Sequence, residues 1–324
     1  LAPDRCYADW QQLIEREGAL PAGEQIEAVS VVTPNHVHHD PAKAALEAGF
    51  HVICDKPLCV SVEEAVSLRD AVAASGRVFT LTHNYAGSPM VREARERIAS
   101  GALGEIRKVY VEYLQGWLSE PLEASGHKQA EWRTDPKRSG PVGALGDIGT
   151  HAFQLLEHVT GQRVTRLFGV LNTCVPGRAL DDDDMLLLEL EGGASGTLTA
   201  SQVCFGRENG LRLRVFGTLG ALEWAQEHPN DLHLTERDGA VRTLRSATEP
   251  TGEASRSLTR TPPGHPEGYL EAFANIYAAF ARAVRGEPET LDAPYPGIED
   301  GVRGIEFIAA ALESSANGRW VTLG

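Results

Sequence analysis

Three short apolar segments, 26–32 (IEAVSVV), 50–54 (FHVIC) and 77–82 (RVFTLT), recur at even spacing near the start of the chain, with helix signals between them. Their β-branched and aromatic content suits buried strands. Residues 9–17 predict a helix with Asp9 as N-cap and Gly18 as its stop. Asp40-Pro41 predicts an N-cap followed by proline at the first helical position, with Gly49 ending that helix. Ser61-Val-Glu-Glu64 is a capping box that opens a helix to about Ala74. Strands that alternate with helices need right-handed crossovers, and those impose a parallel sheet.

A helix predicted from Ser88-Pro89 to about Gly101 marks a change of texture. Segments 105–115, 184–190, 195–204, 211–217 and 231–236 read as longer strands, several of alternating polarity, and they predict a largely antiparallel sheet. Helices are expected over 268–285 and 299–315, and part of the Thr-, Ser-, Gly- and Pro-rich stretch 238–266 is expected to be a mobile loop. The fold class is therefore α/β and then α+β. A partial Rossmann doubly wound parallel sheet (1–87) precedes a second domain with a large mostly antiparallel sheet and helices (88–324). A doubly wound nucleotide-binding sheet begins with a strand, a glycine-rich turn and a helix. No GxGxxG occurs here. The expectation is that roughly 50–60 upstream residues, about two βα units, are missing.

The formal net charge of −15 argues against nucleic acid and anionic membranes as partners. No apolar run approaches the roughly 20 residues of a membrane-spanning helix. No signal-peptide pattern opens the chain. The five cysteines, Cys6, Cys54, Cys59, Cys174 and Cys204, are odd in number and form no CxxC pair, which predicts a reduced, cytoplasmic protein.

Ligands of open parallel sheets sit beyond the carboxyl ends of the strands. Three polar segments lie there: Thr33-Pro-Asn-His-Val-His38, Asp55-Lys56-Pro57 and His83-Asn84-Tyr85. Lys56, stiffened by Pro57, suits a cation aimed into a crevice and equally a solvated turn lysine. Further on, Gly146-Asp-Ile-Gly-Thr-His151 places Asp147 and His151 four apart, on one face of a helix that starts near Asp147. Gln154 and His158 extend that polar stripe. The bland reading makes Asp147 an N-cap and His151 its hydrogen-bonded neighbour. His36, His38 and His39 lack a zinc-ligand pattern. The run Asp181–Asp184 lacks the glycine and spacing of a calcium loop and reads as a solvated turn. Cys54 and Cys59 read as small buried residues.

In these motifs the sequence resembles the glucose–fructose oxidoreductase/inositol dehydrogenase (Gfo/Idh/MocA) family. That family carries Glu-Lys-Pro after a Rossmann strand, and a later Asp and His four residues apart near a helix start. Here the first motif is Asp55-Lys56-Pro57, with Asp one methylene shorter than Glu, and the second is Asp147 to His151. Thr33-Pro-Asn-His-Val-His38 matches the family's loop beside the nicotinamide. The resemblance implies NAD or NADP as cofactor, with Thr33, Pro34, Asn35, His38, Asp55, Lys56 and Pro57 on the cofactor side. It implies hydride transfer at a hydroxyl-bearing carbon of a sugar, cyclic polyol or sugar derivative. His151 is then the expected base and Lys56 the cation for the developing alkoxide, while Asp147 holds substrate hydroxyls or orients His151. Pro57 is expected to follow a cis bond. Tyr85, Trp117, Trp132 and Arg133 are candidates for the substrate pocket, with no metal. The open face of the second sheet suggests a homodimer or homotetramer. The alternative is a non-catalytic sugar- or nucleotide-sensing regulator on the same fold.

Overall fold

The computed structural model describes residues 5–287 and 295–324. The front sheet is parallel, with order β1 (Ala28–Val31), β2 (His51–Cys54), β3 (Phe79–Leu81), and its register pairs Val29 with Val52 and Val52 with Phe79. Helices α1 (Trp10–Gly18), α2 (His39–Glu47) and α3 (Val62–Ser75) alternate with these strands. Asp9 caps α1 by accepting from Gln12 N at 2.8 Å. Ser61 Oγ accepts from Glu64 N at 3.2 Å, and the Glu64 carboxylate accepts from Val60 N at 3.1 Å. Gly76 ends α3 at φ +64°, a left-handed position that suits glycine.

Asp40 is not the cap of α2. A 3₁₀ turn, Asn35–Val37, runs directly into the helix, so His38 takes the cap position and Asp40 sits in the first turn. There it still faces the positive end of the helix dipole.

Among the described residues the second sheet has nine strands. They are β4 (Ile106–Leu114), β5 (Val164–Asn172), β6 (Asp183–Leu190), β7 (Ser195–Ser201), β8 (Gly210–Gly217), β9 (Gly220–Ala225), β10 (Asp231–Glu236), β11 (Val241–Arg245) and β12 (Val321–Thr322). Their order is β11-β10-β9-β8-β4-β7-β6-β5-β12, and only the β4–β7 pair is parallel. The helices are α4 (Pro89–Ala99), α5 (Lys128–Arg133), α6 (Pro136–Ser139), α7 (Thr150–Thr160), α8 (Glu253–Leu258), α9 (Tyr269–Val284) and α10 (Ile298–Asn317).

Stretch 238–266, part of which is expected to be a mobile loop, holds β11 and α8, with residues 246–252 and 259–266 outside helix and strand. Gly239 (φ +87°) turns the β10–β11 hairpin, and Leu244 is the buried residue of β11. Strand β5 escaped the sequence reading because Arg166 and Gly169 interrupt its apolar pattern.

One face of the large sheet is apolar and covered by helices. Val109, Val111, Leu186, Leu188, Leu213 and Val215 alternate inward along β4, β6 and β8. Helix α10 ties the lobes together. Its Ser314 Oγ accepts from Gly169 N at 2.9 Å, its Gly301 lies against Leu58, and its Phe307 stacks on Phe153 of α7 at 4.2 Å. Helix α7 is thereby fixed over the sheet with its first turn beside the front lobe.

Candidate active site

Each front strand ends in a turn that is bonded to its neighbours. Asp55 Oδ1 accepts from Lys56 N at 2.8 Å and from Thr82 Oγ1 at 2.5 Å, which ties the end of β2 to that of β3. The Lys56–Pro57 bond is cis. His38 is fully buried, with Nδ1 2.8 Å from Pro57 O and Nε2 2.8 Å from Thr33 O. It braces two backbone turns and lines neither cavity described below. Pro57 is likewise buried outside both cavities.

In the rear lobe, a π turn, Leu145–Gly149, precedes α7. Asp147 is therefore not an N-cap. The π turn's wider spacing also rotates it relative to His151 compared with an α-helix. The Asp181 carboxylate supports this turn by accepting from Gly143 N at 2.7 Å and Leu145 N at 2.8 Å. Asp182 accepts from Cys174 N, Val175 N and Arg178 Nη1, and Asp184 is fully buried. Asp181 and Asp182 are structural braces and Asp184 is a core residue, so the run is not a solvated turn.

The lobes meet at Asp147. Lys56 Nζ lies 3.0 Å from Asp147 Oδ1 and also donates to the Asp147 carbonyl. Arg133 Nε reaches Oδ2 at 3.1 Å, and Gln202 Nε2 reaches the same oxygen at 2.9 Å. Burial works against ionisation of Asp147. The Lys56 and Arg133 cations and the bonds from Lys56 and Gln202 nevertheless hold its carboxyl well below the usual carboxylate range. Asp147 thus pins two cations, and it does not orient His151. Among the described residues, His151 Nδ1 has no hydrogen-bond partner. The His151 ring is instead boxed in by Tyr85, His83 and Tyr113 at centroid distances of 5.0, 5.3 and 6.3 Å. Burial first, then the charges of Lys56 and His83, push the His151 pKa well down. His83 is pushed down to about 3 by burial and Lys56.

Lys56 and His151 line one cavity of about 570 Å³, together with Tyr85, Trp117, Arg133 and Asp147. A second cavity of about 540 Å³ lies over the front strand ends. It is lined by Thr33, Pro34, Asn35 and Trp132, and it shares Asp55, Lys56, Arg133 and Asp147 with the first. Trp132 lines the strand-end cavity and Trp117 the adjoining one. Arg133 lies over the Trp132 ring at 4.2 Å and near that of Trp117 at 5.9 Å.

Gln115, Gln202, Asn209 and Tyr113 were not among the expected site residues, yet they form the wall behind Tyr85. A signal for two of them exists. Parallel pairing sets Leu114 opposite Ser201, so the residues just beyond these strand ends, Gln115 and Gln202, emerge together.

Residues 4–83 match the family model described as an oxidoreductase family with an NAD-binding Rossmann fold, and residues 91–223 match the GFO/IDH/MocA C-terminal domain. An uncharacterized oxidoreductase, YfiI, of Bacillus subtilis is 32% identical over 98% of this chain and 82% of its own length. Levoglucosan dehydrogenase of Pseudarthrobacter phenanthrenivorans is 27% identical over 97% of this chain and 82% of its own. The crystal structure of an inositol dehydrogenase homolog from Azotobacter vinelandii with NAD+ superposes with a TM-score of 0.94 at 40% identity, covering 99% of this chain and 84% of that one. The same homolog with NADH and myo-inositol gives 0.90 at 39% identity, covering 99% and 83%.

Proposed function

The chain belongs to the GFO/IDH/MocA family of NAD-dependent oxidoreductases, and from that premise we propose that it oxidises a hydroxyl-bearing carbon of a cyclic polyol, sugar or sugar derivative. The observation that carries this reading is the convergence of Lys56 from the front lobe and His151 from the rear lobe on one cavity. That cavity adjoins a second one at the carboxyl ends of the parallel strands. Relatives named for levoglucosan and for inositol support the substrate class.

The strand-end cavity suits the nicotinamide end of NAD. It lies where parallel sheets bind nucleotides, and Pro34 offers an apolar surface beside polar Thr33 and Asn35. When bound, NAD supplies the hydride acceptor. Lys56, Arg133 and Asp147 together carry one net positive charge at the junction of the cavities, and this charge stabilises the alkoxide as it forms. His151, kept neutral by burial, takes the hydroxyl proton. Asp147 fixes the Lys56 ammonium in place. Trp117 offers an aromatic face to the substrate ring.

The reading extends to assembly. On the uncovered face of the large sheet, Met185 pairs with Val170 and Leu187 with Phe168. Val170, Met185 and Leu187 are 41–52% exposed. This apolar face is proposed to pack on a second copy of the chain. An odd number of cysteines with no CxxC pair suits a cytoplasmic setting. Among the described residues no helix is long and apolar enough to cross a membrane.

The test incubates the protein with NAD and a panel containing myo-inositol, levoglucosan and monosaccharides, and follows nicotinamide absorbance. Turnover that collapses in His151→Ala is expected. A protein that reduces no NAD with any member, or a His151→Ala variant as active as the parent, would overturn the reading.

A further inference from the structure

The wall behind Tyr85 is one unbroken hydrogen-bond chain, and its direction is set by groups that can act in only one sense. The Asp147 carboxylate only accepts, so the Gln202 amide must turn Nε2 toward it, at 2.9 Å. The second Nε2 hydrogen goes to Gln115 Oε1 at 3.2 Å. The Trp117 indole only donates, and it meets the same Gln115 oxygen at 2.9 Å. Gln115 therefore faces Nε2 toward Asn209, whose Oδ1 accepts at 2.9 Å. That oxygen has a second lone pair, and the Tyr113 hydroxyl stands 3.2 Å from it.

Tyr113 and Tyr85 are both buried, which raises both phenol pKa values, so each carries one hydroxyl hydrogen. The Tyr113 hydrogen goes to Asn209. The reverse arrangement would leave two oxygens facing each other lone pair to lone pair. The 2.7 Å contact between the two phenols is then a bond only when Tyr85 donates to Tyr113. What Tyr85 has left for the cavity is lone pairs.

We infer that Tyr85 meets the substrate as a hydrogen-bond acceptor only, so that the group it selects is a free hydroxyl on a carbon next to the one oxidised. The inference rests on the dehydrogenase reading above and names the substrate feature within it: a vicinal diol. Tyr85 and His151 line the same cavity with ring centroids 5.0 Å apart, a spacing that a substrate carrying two adjacent hydroxyls can bridge. The same polarity forbids Tyr85 from protonating a carbonyl in the reverse direction. It also disfavours a keto or ether oxygen at the neighbouring position, because either would set its lone pairs against those of Tyr85.

The probes are cyclohexane-1,2-diol, 2-methoxycyclohexanol and cyclohexanol, which differ only in the group beside the reacting alcohol. They are compared by kcat/KM with NAD. Where turnover is too slow, they are compared by inhibition constants against myo-inositol oxidation. The expected ranking places the diol about tenfold or more ahead of the methyl ether. Tyr85→Phe brings the two to within about threefold of each other. Asn209→Asp still presents an acceptor to both Gln115 and Tyr113, so it keeps the ranking. Were Asn209 instead donating to Tyr113, Tyr85 would face the substrate as a donor in the parent, and this variant would create a diol preference that the parent lacks. A parent protein that treats diol and methyl ether alike, or a diol preference that appears only in Asn209→Asp, overturns the inference while leaving the dehydrogenase reading intact. No nicotinamide reduction with myo-inositol or with any probe overturns that reading, and the inference falls with it.

Discussion

Replacing Lys56 with methionine tests the charge arithmetic of the site. Lys56 and Arg133 share the Asp147 carboxylate at 3.0 and 3.1 Å, so the trio holds two positive charges and one negative. Methionine preserves the length and apolar stem of the side chain and brings the net charge to zero. An alkoxide forming about 4 Å from one net positive charge, at an effective dielectric of about 20, gains about 4 kcal/mol. That corresponds to a fall of about 10³-fold in kcat/KM. Because the ground-state alcohol is neutral, the loss should fall on kcat more than on KM. A second readout has a definite sign. His151 is pushed down by burial, by Lys56 and by His83, so in the parent protein the base stays neutral below the unperturbed imidazole value of about 6.5. Removing Lys56 removes one of those causes and lets the His151 pKa rise. The acid limb of the kcat/KM profile then moves to higher pH. Rates of NADH formation between mildly acidic and mildly alkaline pH measure both effects. Activity within about threefold of the parent, with an unmoved acid limb, would refute the assignment.

Two other substitutions probe the supports of the site. A Cβ at Gly143 would lie 2.2 Å from the Asp181 carbonyl oxygen, so Gly143→Ala must displace the backbone that sets the π turn. A loss of about 1–3 kcal/mol in denaturant unfolding is expected, with reduced kcat; an unchanged midpoint would show that the close approach is not needed. Leu187→Arg places a charge in the apolar face built by Met185, Val170 and Phe168, and sedimentation velocity should show a smaller species than the parent. Equal masses would remove this face as the interface.

Local signals made the front lobe legible. Capping residues such as Asp9 and Ser61, and short apolar runs between them, define strand and helix without reference to anything distant. Once the strands are parallel, their carboxyl ends lie along one edge, and Thr33, Lys56 and Tyr85 must gather there. The rear lobe was legible in its strands but not in its side-chain wiring. Gln115, Gln202 and Asn209 come together only because Leu114 pairs with Ser201 on one side and with Gly210 on the other. These pairings join positions roughly 90 residues apart, and no periodicity announces them. The Asp181–Asp184 run misled for a related reason. Acidic residues in series look solvated until the backbone N–H groups they bind, such as those of Gly143 and Cys174, are known.

Asp147 shows how this hidden wiring changes the chemistry read from a motif. Spacing alone suggests a carboxylate that orients a histidine. The π turn and the three donors from Lys56, Arg133 and Gln202 instead make it the counter-ion of a cation pair and the origin of the hydrogen-bond chain. One buried carboxylate therefore does two things. It holds the Lys56 ammonium that faces the reacting oxygen, and through Gln202, Gln115, Asn209 and Tyr113 it helps set the direction of the Tyr85 hydroxyl. Removing its charge should accordingly disturb the alkoxide end and the neighbouring-hydroxyl end of the substrate together, whereas Lys56→Met acts on the first alone. A cavity whose two ends answer to one carboxylate couples the choice of which carbon is oxidised to the presence of a hydroxyl beside it.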